Sequence, residues 1–134
     1  MRIFLSIKYH DDQRNRERIE AIARALGICG FKTTCIVRDM EQWGQFHFDA
    51  DELMRRTFAE IDHSDLVVVD LTEKGVGVGV EAGYAHAKRI PIVTIAPRGA
   101  DVSTTLRGIS RAVIFYDDLH QLETALIGIE NDAM

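Results

Sequence analysis

Two cysteines, two prolines and no long apolar run set the first limits on this 134-residue sequence. Cys29 and Cys35 are too few for the disulfide framework of small secreted domains, and both read as small core residues. No stretch approaches the roughly 20 apolar residues that cross a bilayer. The opening Met1-Arg2-Ile3-Phe4-Leu5-Ser6 is too briefly apolar for a secretory signal. A cytoplasmic protein with no membrane partner is the expectation. Basic charge is scarce as well: 16 Lys and Arg stand against 21 Asp and Glu, a net of −5. Such a surface lacks the basic stripe that grips a nucleic-acid polymer. It still leaves room for one small phosphate pocket. What is present, 46% hydrophobic and 28% charged residues, is the composition of a globular chain. Its length is that of one domain, 1–134.

Short apolar runs alternate with helical periodicity. Strands are predicted at 3–7, 33–37, 66–69, 92–95 and 112–115. The run Leu66-Val67-Val68-Val69 is continuous, as a strand buried on both faces should be. Helices are predicted over 13–29, with Ile19, Ile22, Ala23 and Leu26 on one face, over 80–88 and over 119–129. Another, capped by Asp49 or Asp51, carries Leu53, Met54, Phe58 and Ile61. A helical turn is expected near Ser103. This alternation predicts an α/β protein, a flavodoxin-like or Rossmann-like three-layer fold with a five-stranded parallel sheet.

Ligands of such sheets bind outside the carboxyl ends of the strands, here the loops 6–12, 38–49, 70–81 and 96–103. The third is the most informative. Asp70 ends a strand, Gly75, Gly77 and Gly79 follow, and Glu81 lies just inside the next predicted helix. Closely spaced glycines expose backbone N–H groups, and a helix start favours an ionised carboxylate at Glu81. An ionised carboxylate facing a cleft suits a nucleophile; the plainer reading is an acid that completes its own helix's electrostatics. The pattern is not G-x-G-x-x-G and follows the third strand, which speaks against an NAD-binding Rossmann domain.

The segments Asp65-Leu66-Val67-Val68-Val69-Asp70-Leu71 and Gly77-Val78-Gly79-Val80-Glu81-Ala82-Gly83-Tyr84-Ala85, with the opening Arg2-Ile3-Phe4-Leu5-Ser6, resemble the nucleoside 2-deoxyribosyltransferase superfamily. Within it the chain is most similar to the 2'-deoxynucleoside 5'-phosphate N-hydrolases. The resemblance implies an N-glycosidase, or a transferase of the sugar to another base, acting on a nucleoside or nucleotide without a cofactor. It places the glutamate nucleophile at Glu81, phosphate contacts at Ser6 and Lys8, and a phosphate-binding serine given to a neighbouring subunit at Ser103. A homodimer or higher homo-oligomer follows. The glycines Gly75, Gly77 and Gly79 would border the substrate.

The departures are specific. The family's usual aspartate, which helps protonate the leaving base, is Thr57 here. Gly75 stands where relatives carry Asp or Ser, and Arg2 where an aromatic is common. Asp70 is the first replacement acid, ahead of Glu73, Asp62 and His63. Tyr9 offers a stacking face beside Lys8. Trp43, Phe46 and Phe48 could stack on a base, cover the core or bury at a subunit contact. His47, Asp49 and Asp51 lack a further ligand set, so no metal is expected. His86 reads as a packed or surface residue. Two other readings of the chain remain: a nucleotide-binding or sensing domain without catalysis, and a TIR-like NAD glycohydrolase.

Overall fold

The structure is a computed structural model that describes residues 1–10 and 12–129; Asp11, in the first predicted ligand loop, lies outside them. Five strands, β1 (Arg2–Ser6), β2 (Lys32–Thr34), β3 (Leu66–Asp70), β4 (Ile92–Pro97) and β5 (Ala112–Tyr116), form one sheet. Its order is β2-β1-β3-β4-β5, and every neighbouring pair is parallel. The helices are α1 (Arg16–Ile28), α2 (Ala50–Asp62), α3 (Val76–Ala87), α4 (Thr104–Ile109) and α5 (Leu119–Ile127). This is the flavodoxin-like order, with its switch point between the carboxyl ends of β1 and β3. The expected α/β three-layer fold is therefore present.

Strand parity divides the core. Ile3 and Leu5 of β1, with Leu66 and Val68 of β3, face Ile19, Ile22 and Leu26 of α1 and Leu122 and Leu126 of α5. Phe4, Val67 and Val69 face the other way, onto Ile61 of α2, Val78, Ala82 and Ala85 of α3 and Leu106 of α4. Each fully buried large aliphatic side chain contributes roughly 1.5–3 kcal/mol. The same parity decides where the polar residues at the strand ends point. Ser6 pairs with Val69 and shares its face, whereas Asp70 shares the face of Leu66 and Val68.

Two elements differ from the sequence reading. The second strand ends at Thr34 rather than at residue 37. Side chains take over the backbone groups that would extend its ladder: Asp39 accepts from the Cys35 N–H at 2.8 Å, and Arg38 donates to the Thr33 carbonyl at 2.7 Å. A π-helical segment, Ile36–Met40, follows. The third helix begins at Val76, not near Val80, so Gly77 and Gly79 are helical residues rather than parts of a turn. Each glycine costs about 1 kcal/mol against alanine in a helix. Packing of Ala82 and Ala85, both fully buried against the sheet, offsets that cost.

Candidate active site

Glu81 therefore lies in the second turn of α3, over the carboxyl end of β1. The Ser6 hydroxyl, fully buried, donates to Glu81 Oε1 at 2.8 Å. Glu81 forms part of the wall of a cavity of about 340 Å³, a size that suits a small organic ligand. Most of that wall is apolar, including Phe4, Ile7, Ile36, Leu53, Met54 and Val78. The polar groups in it are few: Lys8, Tyr9, Glu41, Thr57 and Glu81. Gly75 and Gly77 complete one side; a Cβ at Gly77 would stand 3.9 Å from Glu81 Oε2 and one at Gly75 3.4 Å from Lys8 Cγ.

Electrostatics follow from burial. Removal from water pushes the Glu81 carboxyl up to about 7, and the Ser6 hydrogen bond opposes this by favouring the charged form. The expectation of a carboxylate held ionised by its helix start differs from the structure: Glu81 sits past the first turn, and burial raises its pKa. Burial also pushes the Cys35 thiol up to about 12, so this cavity residue is no thiolate nucleophile. The Lys8 ammonium forms no ion pair among the described residues. His10 contacts Glu73 and ties the loop after β1 to the loop after β3.

No known family model matches the chain, and no curated protein sequence does. Solved structures do match. A CMP N-glycosidase from Clostridium botulinum is similar at TM-score 0.71 and 18% identity, over 94% of this chain and 97% of that one. A 2-deoxyribosyltransferase from Bacillus psychrosaccharolyticus is similar at TM-score 0.72 and 14% identity, over 94% and 96%. The chain shares its fold with these two proteins. That architecture also matches a 3-dehydroquinate dehydratase-like protein from Bifidobacterium longum at TM-score 0.55 and 12% identity, over 99% and 95%. Fold alone does not assign a reaction, so the side chains around Glu81 must.

Set on the deoxyribosyltransferase fold, the expected site residues separate into two groups. Glu81, Lys8, Tyr9, Gly75 and Gly77 share the cavity. Ser6 is beneath it, and its hydroxyl donates to Glu81 Oε1. Gly79 lies within α3 and outside the cavity lining. Ser103 caps α4 by accepting from the Leu106 N–H at 3.3 Å, away from the cavity of its own chain. Thr57, at the usual acid's position, does line the cavity, but its hydroxyl donates to the Leu53 carbonyl at 2.8 Å.

Asp70 is the main correction. It faces α1, not α3, because it follows Leu66 and Val68 at two-residue spacing. It lines a smaller neighbouring cleft with Asn15, Arg18 and Thr72, which shares Ile7 and Lys8 with the Glu81 cavity. One of its oxygens accepts from the Thr72 N–H at 2.8 Å and hydroxyl at 2.5 Å; Arg18 stands 4.0 Å from the other. Glu73, Asp62 and His63 are also absent from the Glu81 cavity. Of the loop aromatics, Trp43 packs on the core beneath Arg16, and Phe48 lies under Arg56. Neither they nor Phe46 line the cavity.

The sequence reading missed Glu41. This half-buried carboxyl shares the cavity with Glu81, and burial raises its pKa against a smaller opposing effect of His47. Its one signal in the sequence is its place in the predicted ligand loop 38–49, just beyond a β-branched run.

Proposed function

We propose that the chain is an N-glycosidase that cleaves the base–sugar bond of a nucleoside 5'-monophosphate, with Glu81 as nucleophile. The observation that carries this reading is the Glu81 carboxyl at the switch point, held by Ser6 on the wall of a largely apolar cavity. Glu81 attacks C1' and forms a glycosyl ester; water then releases the sugar phosphate, or a second base takes the sugar. A pKa of about 7 leaves a substantial fraction of Glu81 ionised at neutral pH, yet desolvated enough to react. Lys8 supplies the positive charge for the 5'-phosphate, and Gly75 and Gly77 leave space beside it. Ser103 serves the neighbouring subunit of a homodimer. Val76, at the cavity rim, and Val80 are 87% and 44% exposed on α3 and support an apolar contact there.

The test is incubation with a panel of nucleoside 5'-monophosphates and chromatography for free base. Base release by the wild type and its loss in Glu81→Ala support the reading; release unchanged in Glu81→Ala overturns the nucleophile. Thr57 favours one rival, a nucleotide-binding domain without turnover. Thermal stabilisation by nucleotides with no free base would select it.

A further inference from the structure

The glycosidase reading leaves the departing base without a proton donor. The usual position holds Thr57, whose hydroxyl is already bonded to the Leu53 carbonyl, and Asp70 faces the opposite side of the sheet. One other acid enters the cavity. Glu41 directly follows the π-helical segment, its backbone N–H donating to the Ile36 carbonyl at 3.0 Å. Such segments often build functional sites because the extra residue per turn redirects a side chain. The backbone beyond is pinned as well: Gln42, Trp43 and Gly44 adopt positive φ of 45°, 58° and 93°. The Trp43 N–H donates to the Val37 carbonyl at 2.8 Å, and the Phe46 N–H to the Glu41 carbonyl at 3.0 Å. Strained backbone so firmly tied is characteristic of a positioned group. The Glu41 carboxyl is half-buried, lines the same cavity as Glu81, and takes no hydrogen bond from any described residue.

We propose that Glu41 is the acid that protonates the leaving base, and that it selects the base through the same contact. This inference rests on the glycosidase reading above. As a Glu81 oxygen bonds to C1', the C1'–N bond breaks and its electron pair passes into the base. The Glu41 proton moves to a ring nitrogen, so the base departs neutral and Glu41 is left as carboxylate. Glu41 then takes a proton from the water that attacks C1', and the C1'–O bond to Glu81 breaks, restoring both carboxyl groups to their starting states. Before transfer, a neutral carboxyl presents one O–H donor beside one carbonyl acceptor. That pair complements a ring nitrogen next to an exocyclic amine, the edge found in cytosine and adenine. A carboxyl pairs with uracil as well, but uracil's N3 already carries a hydrogen and cannot accept the Glu41 proton. The substrate class is accordingly a cytosine or adenine nucleotide.

The experiment compares Glu41→Gln with wild type on two leaving groups: CMP and AMP, and the nitrophenyl glycoside of the same sugar phosphate, whose phenolate departs unprotonated. The expected result is a fall in base release by about 10²–10⁴, the usual contribution of a general acid, with the first-turnover burst of nitrophenolate release retained. Retained nitrophenolate release also shows that the variant folds. Equal loss on both leaving groups, or no loss on the nucleotides, overturns the role of Glu41 while leaving Glu81 as nucleophile. A UMP rate equal to that of CMP overturns the base selection. Wild-type protein that releases neither base nor nitrophenolate overturns the glycosidase reading itself, and Glu41's role with it.

Discussion

Ser6, the last residue of β1, donates its hydroxyl to Glu81 of α3 across 75 residues of chain, at 2.8 Å. It is the only hydrogen bond that restrains the Glu81 carboxyl among the described residues, and it favours the charged form. Ser6→Ala removes that stabilisation and raises the Glu81 pKa further above 7. The acid limb of the pH–rate profile then moves to higher pH, and activity at neutral pH falls while activity above the new pKa recovers. A profile whose acid limb stays in place would show that Ser6 does not tune Glu81.

Glu81 also links pH to stability. Its folded pKa of about 7 exceeds the ordinary value of 4.5, so the folded state holds a proton that the unfolded state loses first. Stability is therefore undiminished below 4.5, falls as pH rises between 4.5 and about 7, and levels off above. At about 1.4 kcal/mol per unit the total loss is up to roughly 3.5 kcal/mol. Glu81→Gln should melt higher than wild type at pH 8, with the advantage disappearing near pH 4. An equal Tm difference at both pH values would contradict the burial of an ionisable Glu81.

Lys8 tests the phosphate. A charge-assisted hydrogen bond contributes about 1.5–3 kcal/mol, so Lys8→Met should raise KM for a nucleoside monophosphate roughly 10- to 100-fold. The corresponding nucleoside, lacking the phosphate, should be processed equally by both proteins. Parallel losses on nucleotide and nucleoside would move Lys8 from the phosphate to some other task.

Asp70 supplies the contrast. On the α1 side of the sheet it is buried at 1% exposure and bonded to Thr72, out of the Glu81 cavity. Asp70→Asn should change base release by no more than about tenfold, far less than the loss of a general acid. A loss near 10³ would return Asp70 to the chemistry.

Much of the fold was legible because buried parallel strands advertise themselves as continuous apolar runs such as Leu66–Val69. Glu81 was legible for a related reason: it follows such a strand and a glycine-rich segment. Asp70 was misplaced although the sequence holds the correction. Counting in twos from the core residues Leu66 and Val68 puts it on the face away from α3. The start of α3 was obscured because Gly77 and Gly79 have poor helix propensity, and tertiary packing overrides it. Glu41 was legible only as one acid within the predicted ligand loop 38–49. Its approach to the cavity depends on a π-helical segment and three consecutive positive-φ residues, which no periodicity signals.

The most direct measurement is the intact mass of the protein quenched during turnover of a nucleoside monophosphate, followed by peptide mapping. The account predicts an added sugar phosphate on the peptide containing Glu81, formed with one equivalent of free base and absent in Glu81→Gln. Base release with no adduct on Glu81, or with the adduct on another residue, would contradict it.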